Sequence, residues 1–134
     1  MKPPVPGPLD KTLPAPDPAQ VQVIRTYGPG RFLISDREWR EPVLVTPTVT
    51  RPWTVTRAED LSVASLAALK DAPAPIELLV LGCGTRAIFV PPALRGELKA
   101  AGLALEVVDT GSACRIYNVL LAEGRRVAAA LIPL

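Results

Sequence analysis

The sequence contains no histidine, two cysteines and few aromatic residues, with two each of Trp, Tyr and Phe. Without an imidazole the chain cannot build a Ser-His or Cys-His dyad, a His-ligated metal centre or a histidine pH switch. Its longest apolar runs, at 78–81 and 127–132, have the length of β-strands and fall far short of the roughly 20 residues that cross a bilayer. These absences exclude many enzyme mechanisms and predict no transmembrane segment.

Charge of either sign is also not in large excess. The 15 Lys and Arg residues face 13 Asp and Glu residues, which gives a formal net charge of +2. A nucleic-acid-binding surface needs clustered basic residues and, for single strands, stacking aromatics. We therefore predict no nucleic-acid partner, whereas 49% hydrophobic residues in a 134-residue chain fit one small folded domain.

The two cysteines, Cys83 and Cys114, are too few and too far apart for a disulfide framework or a zinc site. No apolar stretch of signal-peptide length occurs near residue 1, and Asp10 and Asp17 are unlike the acid-poor pattern of a mitochondrial presequence. The expectation is a cytoplasmic protein with no metal and no cofactor.

The prolines are unevenly distributed along the chain. Seven of the 16 prolines lie in residues 1–19, where polyproline II conformation is favoured. We predict a flexible Pro-rich tail over residues 1–19 and a single domain over residues 20–134. The PxxP spacing from Pro3 to Pro6 leaves open a role as a ligand for aromatic grooves.

Short β-rich runs follow the tail. Residues 21–24 and 31–34 flank the turn Gly28-Pro29-Gly30 and predict a hairpin. Further strands are expected at 43–46 and 48–50, so the first half is predicted to be an antiparallel β layer. Trp39 and Trp53 are expected to pack between layers, with the alternative that one of them anchors a partner.

Helices and strands alternate after this layer. The capping-box sequence Thr56-Arg57-Ala58-Glu59 predicts a helix that continues to Lys70. The second half then reads as β-α-β-α-β, with strands at 76–81, 103–108 and 126–132 and helices at 91–101 and 113–122.

This alternation predicts a layered α/β domain with a largely parallel central sheet covered by helices, and the N-terminal β pieces either add strands to its edge or form a second small layer. The last strand is apolar at odd and even positions, so it is expected inside the sheet, and its direction stays open.

Ligands usually bind where parallel strands end beside helix N-termini. The loop Gly82-Cys83-Gly84-Thr85 follows a strand and starts a G-x-G-x-x-A match that ends at Ala87. A dinucleotide site is disfavoured because residues 88–90 are β-like and the next helix begins only at Pro91. A tight turn that allows close packing is the favoured interpretation.

The second loop runs from Asp109 to Arg115, where Thr110 or Ser112 can cap a helix. The cysteines are expected to be buried and inert, with the alternative of a reactive thiolate at a helix start. Residues near the last helix either form structural hydrogen bonds or a recognition surface. The candidate pocket or interaction residues are Gly82, Cys83, Gly84, Thr85, Asp109, Thr110, Ser112, Cys114, Arg115, Tyr117, Asn118 and Arg125.

Three motifs in this order carry a family resemblance: residues 79–85, residues 106–120 and residues 123–131, with a Pro91 helix start between the first two. Together they resemble the Mth-type domain family, which includes mitochondrial respiratory complex I assembly factor 3 and many bacterial proteins of unknown function. The resemblance covers residues 20–134. Together with the residue pattern, it implies a compact three-layer α/β fold with a mixed, largely parallel central sheet, helices packed on it and an additional N-terminal antiparallel β layer. It supplies no catalytic residue.

The leading functional hypothesis is therefore a non-catalytic protein-interaction or assembly module, with respiratory complex I subunits or another assembly factor as expected partners. The alternative is a small-molecule-binding or thiol redox protein that uses the Gly82–Thr85 and Asp109–Arg115 loops.

Overall fold

The computed structural model describes residues 21–134, so the predicted tail over residues 1–19 lies outside the described residues. The strands are β1 Ile24–Gly28, β2 Arg31–Ile34, β3 Arg37–Trp39, β4 Val43–Val45, β5 Thr50–Pro52, β6 Leu78–Gly82, β7 Ala104–Val108 and β8 Val127–Leu131. Two α-helices, α1 Pro92–Ala100 and α2 Thr110–Ala122, and two 3-10 helices, Ala58–Asp60 and Ala64–Asp71, complete the described elements.

The central sheet has the strand order β5-β4-β8-β6-β7. Strands β6, β7 and β8 are parallel to one another, and β4 runs antiparallel to both β5 and β8. All five residues of β8 are completely buried between these neighbours. The predicted mixed, largely parallel sheet with an interior last strand is confirmed, and the direction of that strand is now fixed.

The predicted N-terminal antiparallel layer is confirmed as a smaller sheet of strand order β1-β2-β3, whereas the strands predicted at 43–46 and 48–50 belong to the edge of the central sheet. Its hairpin pairs Gly28 with Arg31, and Gly30 supplies the positive φ of the two-residue turn. The first strand begins at Ile24, so the expected strand at 21–24 was placed too early. Strand β3 was not predicted, and the strand expected at 48–50 lies at β5.

Each face of the central sheet has its own hydrophobic core. On the α2 face, α2 and the small sheet pack against Val43, Val80 and Val127. On the α1 face, α1 and the 3-10 segments pack against Leu44, Leu79 and Ala128, among others. Because side chains alternate along a strand, the same strands serve both cores. The predicted three-layer arrangement follows from this alternation.

The tryptophans lie in different cores. Trp39 is buried on the α2 face and Trp53 on the α1 face. The Arg37 guanidinium also covers Trp39, at 4.2 Å from the ring centroid. The packing interpretation is confirmed, and the alternative of a tryptophan anchor for a partner is wrong.

The predicted capping-box helix is wrong in type. Arg57 precedes the first 3-10 helix and no side chain caps it. A reciprocal pair of hydrogen bonds closes the start of the second 3-10 helix: the Ser62 hydroxyl accepts from Ser65 N, and the Ser65 hydroxyl accepts from Ser62 N, each at 3.1 Å. The Trp53 indole also donates to the Ser65 carbonyl at 2.8 Å. These local and long-range bonds compete with a regular α-helical ladder.

The two predicted α-helices of the second half are confirmed. Gly102 and Gly124 follow them with positive φ and provide the usual left-handed stop. Helix α2 begins at Thr110, three residues earlier than expected. Within residues 21–134, no helix combines the length and the apolar character that crossing a membrane requires.

Candidate functional site

The carboxyl ends of β6, β7 and β8 meet at one edge of the central sheet. The loop after β6 contains Gly84, α2 begins directly after β7, and Ile132 follows β8. Cys83 N donates to Val108 O at 3.0 Å, and Thr110 N donates to Gly84 O at 2.9 Å. The two predicted loops therefore lie against each other at the edge where ligands of such sheets usually bind.

Thr110 joins these three chain segments. Its hydroxyl accepts from Gly84 N at 2.8 Å and donates to the Ile132 carbonyl at 2.6 Å. The residue is completely buried. A buried hydroxyl with both bonds made holds backbone segments together and is not available to a ligand.

Gly82 confirms the close-packing interpretation of the glycine loop. A Cβ at this position would lie 3.0 Å from the Ala113 Cβ, the Leu131 Cδ2 and the Thr110 Cα. Gly84 has a positive φ of 97°. Helix α1 begins at Pro92, so the glycines do not lie at its N-terminus, as the G-x-G-x-x-G fingerprint of a dinucleotide site requires.

Asp109 is the N-cap of α2, a role that we expected of Thr110 or Ser112. Its carboxylate accepts from Ser112 N at 3.0 Å and from Ser112 Oγ at 2.6 Å. The hydrogen bonds from Ser112 lower the pKa of Asp109 below its ordinary value. The first turn of α2 is thereby closed by a charged cap.

A series of side-chain hydrogen bonds continues from this cap to the small sheet. Arg115 Nη2 donates to Ser112 Oγ at 3.2 Å, and Arg115 Nη1 donates to the Tyr27 hydroxyl at 2.6 Å. The same hydroxyl would lie 3.1 Å from a Cβ at Gly111. Sequence reasoning missed Tyr27, because 88 positions separate it from Arg115 and no local pattern connects them.

Tyr117 and Asn118 attach the small sheet to α2. The buried Tyr117 hydroxyl donates to Gln22 O at 2.8 Å. The Asn118 side chain accepts from Ile24 N at 3.0 Å and donates to Ile24 O at 2.8 Å, as a neighbouring strand would. Both side chains therefore make the structural hydrogen bonds that were one of the two predicted alternatives.

The cysteines pack into opposite cores. Cys114 is buried on the α2 face, whereas Cys83 packs against the core of the α1 face. Burial raises the pKa of the Cys114 thiol to about 12 and also raises the pKa of Cys83. Cys83 is only partly buried, and its thiol donates to the Leu81 carbonyl, with an Sγ to O distance of 3.9 Å. A reactive thiolate needs the opposite environment.

The remaining candidates are exposed and separated. Thr85 lies in the loop after β6. Arg125 follows the far end of α2, about 20 Å from its start for a 13-residue helix. Arg125 is therefore not part of the cluster around Asp109. Within residues 21–134, no three His, Cys, Asp or Glu side chains are grouped as metal ligands.

Phe89 is a further surface residue that sequence reasoning did not select. It is 80% exposed, although Val90 beside it is 3% exposed and Ile88 packs against the α1-face core. The loop is therefore anchored on both sides of an exposed aromatic ring. The apolar run 88–90 was interpreted as strand-like, and this hid the exposure of its middle residue.

Together these observations define a three-layer α/β domain whose polar edge is used mainly to hold loops, sheet and helix together. The family described as a protein of unknown function, DUF498/DUF598, matches residues 24–132. The chain belongs to this family.

Two curated relatives illustrate the range of the family. An uncharacterized protein of Rhodobacter capsulatus is 41% identical over 108 residues, which cover 81% of this chain and 82% of the relative. The NADH dehydrogenase [ubiquinone] 1 alpha subcomplex assembly factor 3 of Danio rerio is 40% identical over 111 residues. That match covers 83% of this chain and 64% of the assembly factor, so the chain spans less than two thirds of that relative.

Solved structures confirm the fold. A crystal structure of a Bordetella parapertussis protein has a TM-score of 0.76 and 31% identity, over 90% of this chain and all of that chain. The solution structure of a Bordetella pertussis protein, a Mth938-like domain, has a TM-score of 0.72 and 28% identity over 92% of each chain. The predicted Mth-type resemblance is therefore confirmed.

Proposed function

We propose that this chain is a protein-binding assembly module and that Phe89 is the anchor of its binding surface. Its expected partners are respiratory complex I subunits or another assembly factor. The similarity to a relative named as a complex I assembly factor supports an assembly role. Because the chain spans only part of that relative, the partner class is carried over as part of the proposal.

The exposure of Phe89 is the observation that carries this function. Aromatic residues, Phe included, are enriched in protein–protein interfaces, and this ring is 80% exposed on a loop that is anchored at both ends. Little loop entropy is lost on binding, because Val90 and the Cys83 backbone are already fixed. Thr85 and Arg86 are exposed in the same loop and can supply a polar rim.

The hydrogen bonds at the sheet edge also favour binding over chemistry. Thr110, Tyr117 and Asn118 are already paired with backbone groups of distant segments. Asp109 and Arg115 remain at the surface as a cap and a link to Tyr27, where they can contribute charge to an interface. We infer a cytoplasmic module, because both cysteines are free thiols, as expected in a reducing compartment.

The test is affinity purification of the tagged full chain from its own host, followed by mass spectrometry. Phe89→Ser is the test variant, and Val119→Ser is the matched control because Val119 is 56% exposed on α2. Complex I subunits or an assembly factor should be recovered with the wild type and the control, and about tenfold less with Phe89→Ser, the loss expected of a central anchor.

Two further variants separate the redox alternative. Cys83→Ala and Cys114→Ala should recover the same partners as the wild type. Failure to recover any such partner, together with normal complex I after deletion of the protein, would refute the assembly function. A partner lost only in the cysteine variants would favour thiol chemistry.

A further inference from the structure

An apolar cavity of about 370 Å³ lies on the α1 face, away from the edge that carries the candidate site. One wall consists of Val63, Leu66, Leu69 and Ala72. These residues are spaced by three and belong to, or flank, the 3-10 helix Ala64–Asp71. Because a 3-10 helix has three residues per turn, their side chains are stacked above one another along one side.

Buried leucines from α1 and the following segment form the opposite side of the cavity. Leu98 is 1% exposed and Leu103 is 9% exposed, whereas Val63 at the mouth is 38% exposed. The cavity thus runs from solvent into the core. Small-molecule sites are typically concave, mostly apolar clefts of about 300–1,000 Å³.

Lys70 provides a cation at this cavity. The neighbouring carboxylate of Asp71 is paired with Arg51, with an Nη1 to Oδ2 distance of 3.7 Å. Lys70 forms no ion pair within residues 21–134. A lysine can place its methylene chain along an apolar wall and hold its ammonium group at the solvent boundary.

We propose that this cavity binds a free single-chain aliphatic carboxylate of about eight to ten carbons, with the chain inside and the carboxylate at Lys70. The volume lies at the small end of the range for ligand sites, which suits one short chain. The apolar wall and the Lys70 ammonium group match the two parts of such an amphiphile.

The first test titrates the full chain with hexanoate, octanoate and decanoate below their micelle-forming concentrations, by calorimetry and by amide chemical shifts. Saturable binding is expected, with shifts concentrated at residues 63–76 and 98–103. Affinity should increase about fourfold for each methylene that enters the cavity. Decanol, which has the same chain without the charge, should bind more weakly than decanoate.

Two pairs of variants locate the ligand. Ala101→Trp places a large ring at the cavity mouth and should abolish binding, whereas Ala100→Trp changes a neighbouring exposed alanine that does not line the cavity. Lys70→Gln should weaken decanoate binding about two- to fivefold, as expected for a surface charge pair. Lys99 lies on α1 outside the cavity, so Lys99→Gln should leave the affinity for decanoate unchanged.

Several results would overturn the proposal. These are an absence of saturable binding across the series, equal binding by Ala101→Trp and Ala100→Trp, or equal affinity for decanol and decanoate. Phosphatidylglycerol vesicles present similar acyl chains within a bilayer. The protein should not co-sediment with these vesicles. Sedimentation that Ala101→Trp abolishes would identify a membrane lipid as the occupant and would contradict a free ligand.

Discussion

The two faces of the central sheet are closed by different kinds of contact. On the α2 face, Asn118 binds the backbone of β1, Tyr117 binds the segment just before β1, and the Thr110 hydroxyl joins two loops. On the α1 face, a 3-10 helix and α1 meet through apolar side chains and leave a cavity between them. Directed hydrogen bonds thus fix one face, while the other retains space for a ligand.

The largest difference between the faces should appear when a side chain is enlarged. Ala113→Leu introduces extra atoms where Ala113 is completely buried beside Gly82, and it should lower the free energy of unfolding by about 3 kcal/mol. Ala101→Leu adds the same atoms at the cavity mouth and should change it by less than about 0.5 kcal/mol. Urea unfolding of the wild type and both variants measures these changes in the free energy of unfolding. Equal losses would show that the α1 face is packed as tightly as the α2 face.

A smaller effect is expected when one polar link of the α2 face is removed. Thr110→Val keeps the shape of the side chain but leaves Gly84 N–H and the Ile132 carbonyl without their partner. The free energy of unfolding should decrease by about 2 kcal/mol. The exposed Thr85→Val is the matched control and should stay within about 0.5 kcal/mol of the wild type. A Thr110→Val protein as stable as this control would show that the buried hydroxyl does not hold the edge together.

The cap of α2 gives a smaller, pH-dependent contribution. Asp109→Ala should lower the free energy of unfolding at pH 7 by about 1 kcal/mol. The pKa of Asp109 is lowered from its ordinary value of 3.8, so its contribution is present above that pH and is lost as the pH falls through the lowered pKa.

Asp109→Asn is the control for this titration, because asparagine also caps helices but carries no charge. Denaturant unfolding of the three proteins between pH 2 and pH 7, on the order of one measurement per pH unit, would follow the loss. The wild type and Asp109→Ala should converge at low pH. A difference that persists unchanged at the lowest pH would contradict the assignment of Asp109 as a charged cap.

The smallest effect on the native protein is expected from thiol reagents. Burial raises the pKa of both thiols, and Cys114 is 1% exposed. At pH 7 Cys114 should react only at the rate of unfolding, and Cys83, which is half-buried, should react faster but still slowly. Titration in the native and the urea-unfolded protein measures both rates. Rapid native reaction of Cys114 would contradict its position in the core.

Local sequence signals were sufficient for much of the second half of the chain. Pro91-Pro92 and Gly102 mark the ends of α1, and the uninterrupted apolar run of β8 predicted an interior strand. In both cases the determining pattern lies within one element. The alternation of strands and helices could therefore be predicted from local patterns, whereas the mixed strand directions of the sheet were implied by the family resemblance.

Contacts between distant segments explain what sequence reasoning missed. The link from Arg115 to Tyr27 spans 88 positions. The indole of Trp53 donates to the Ser65 carbonyl, which lies within a segment that was expected to be α-helical. The exposure of Phe89 was equally hidden, because apolar neighbours on both sides suggested a buried strand. The pattern of apolar residues identifies strands and helices, but it does not identify which apolar side chains remain exposed.

The most direct test of the assembly function is photo-crosslinking from position 89 in living cells. Benzoylphenylalanine replaces Phe89 in one strain and Val119 in a control strain, and crosslinked proteins are identified by mass spectrometry. We expect a specific crosslink from position 89 to a complex I subunit or an assembly factor, and no crosslink to the same protein from position 119. Absence of any crosslink from position 89, or the same products from both positions, would contradict this expectation.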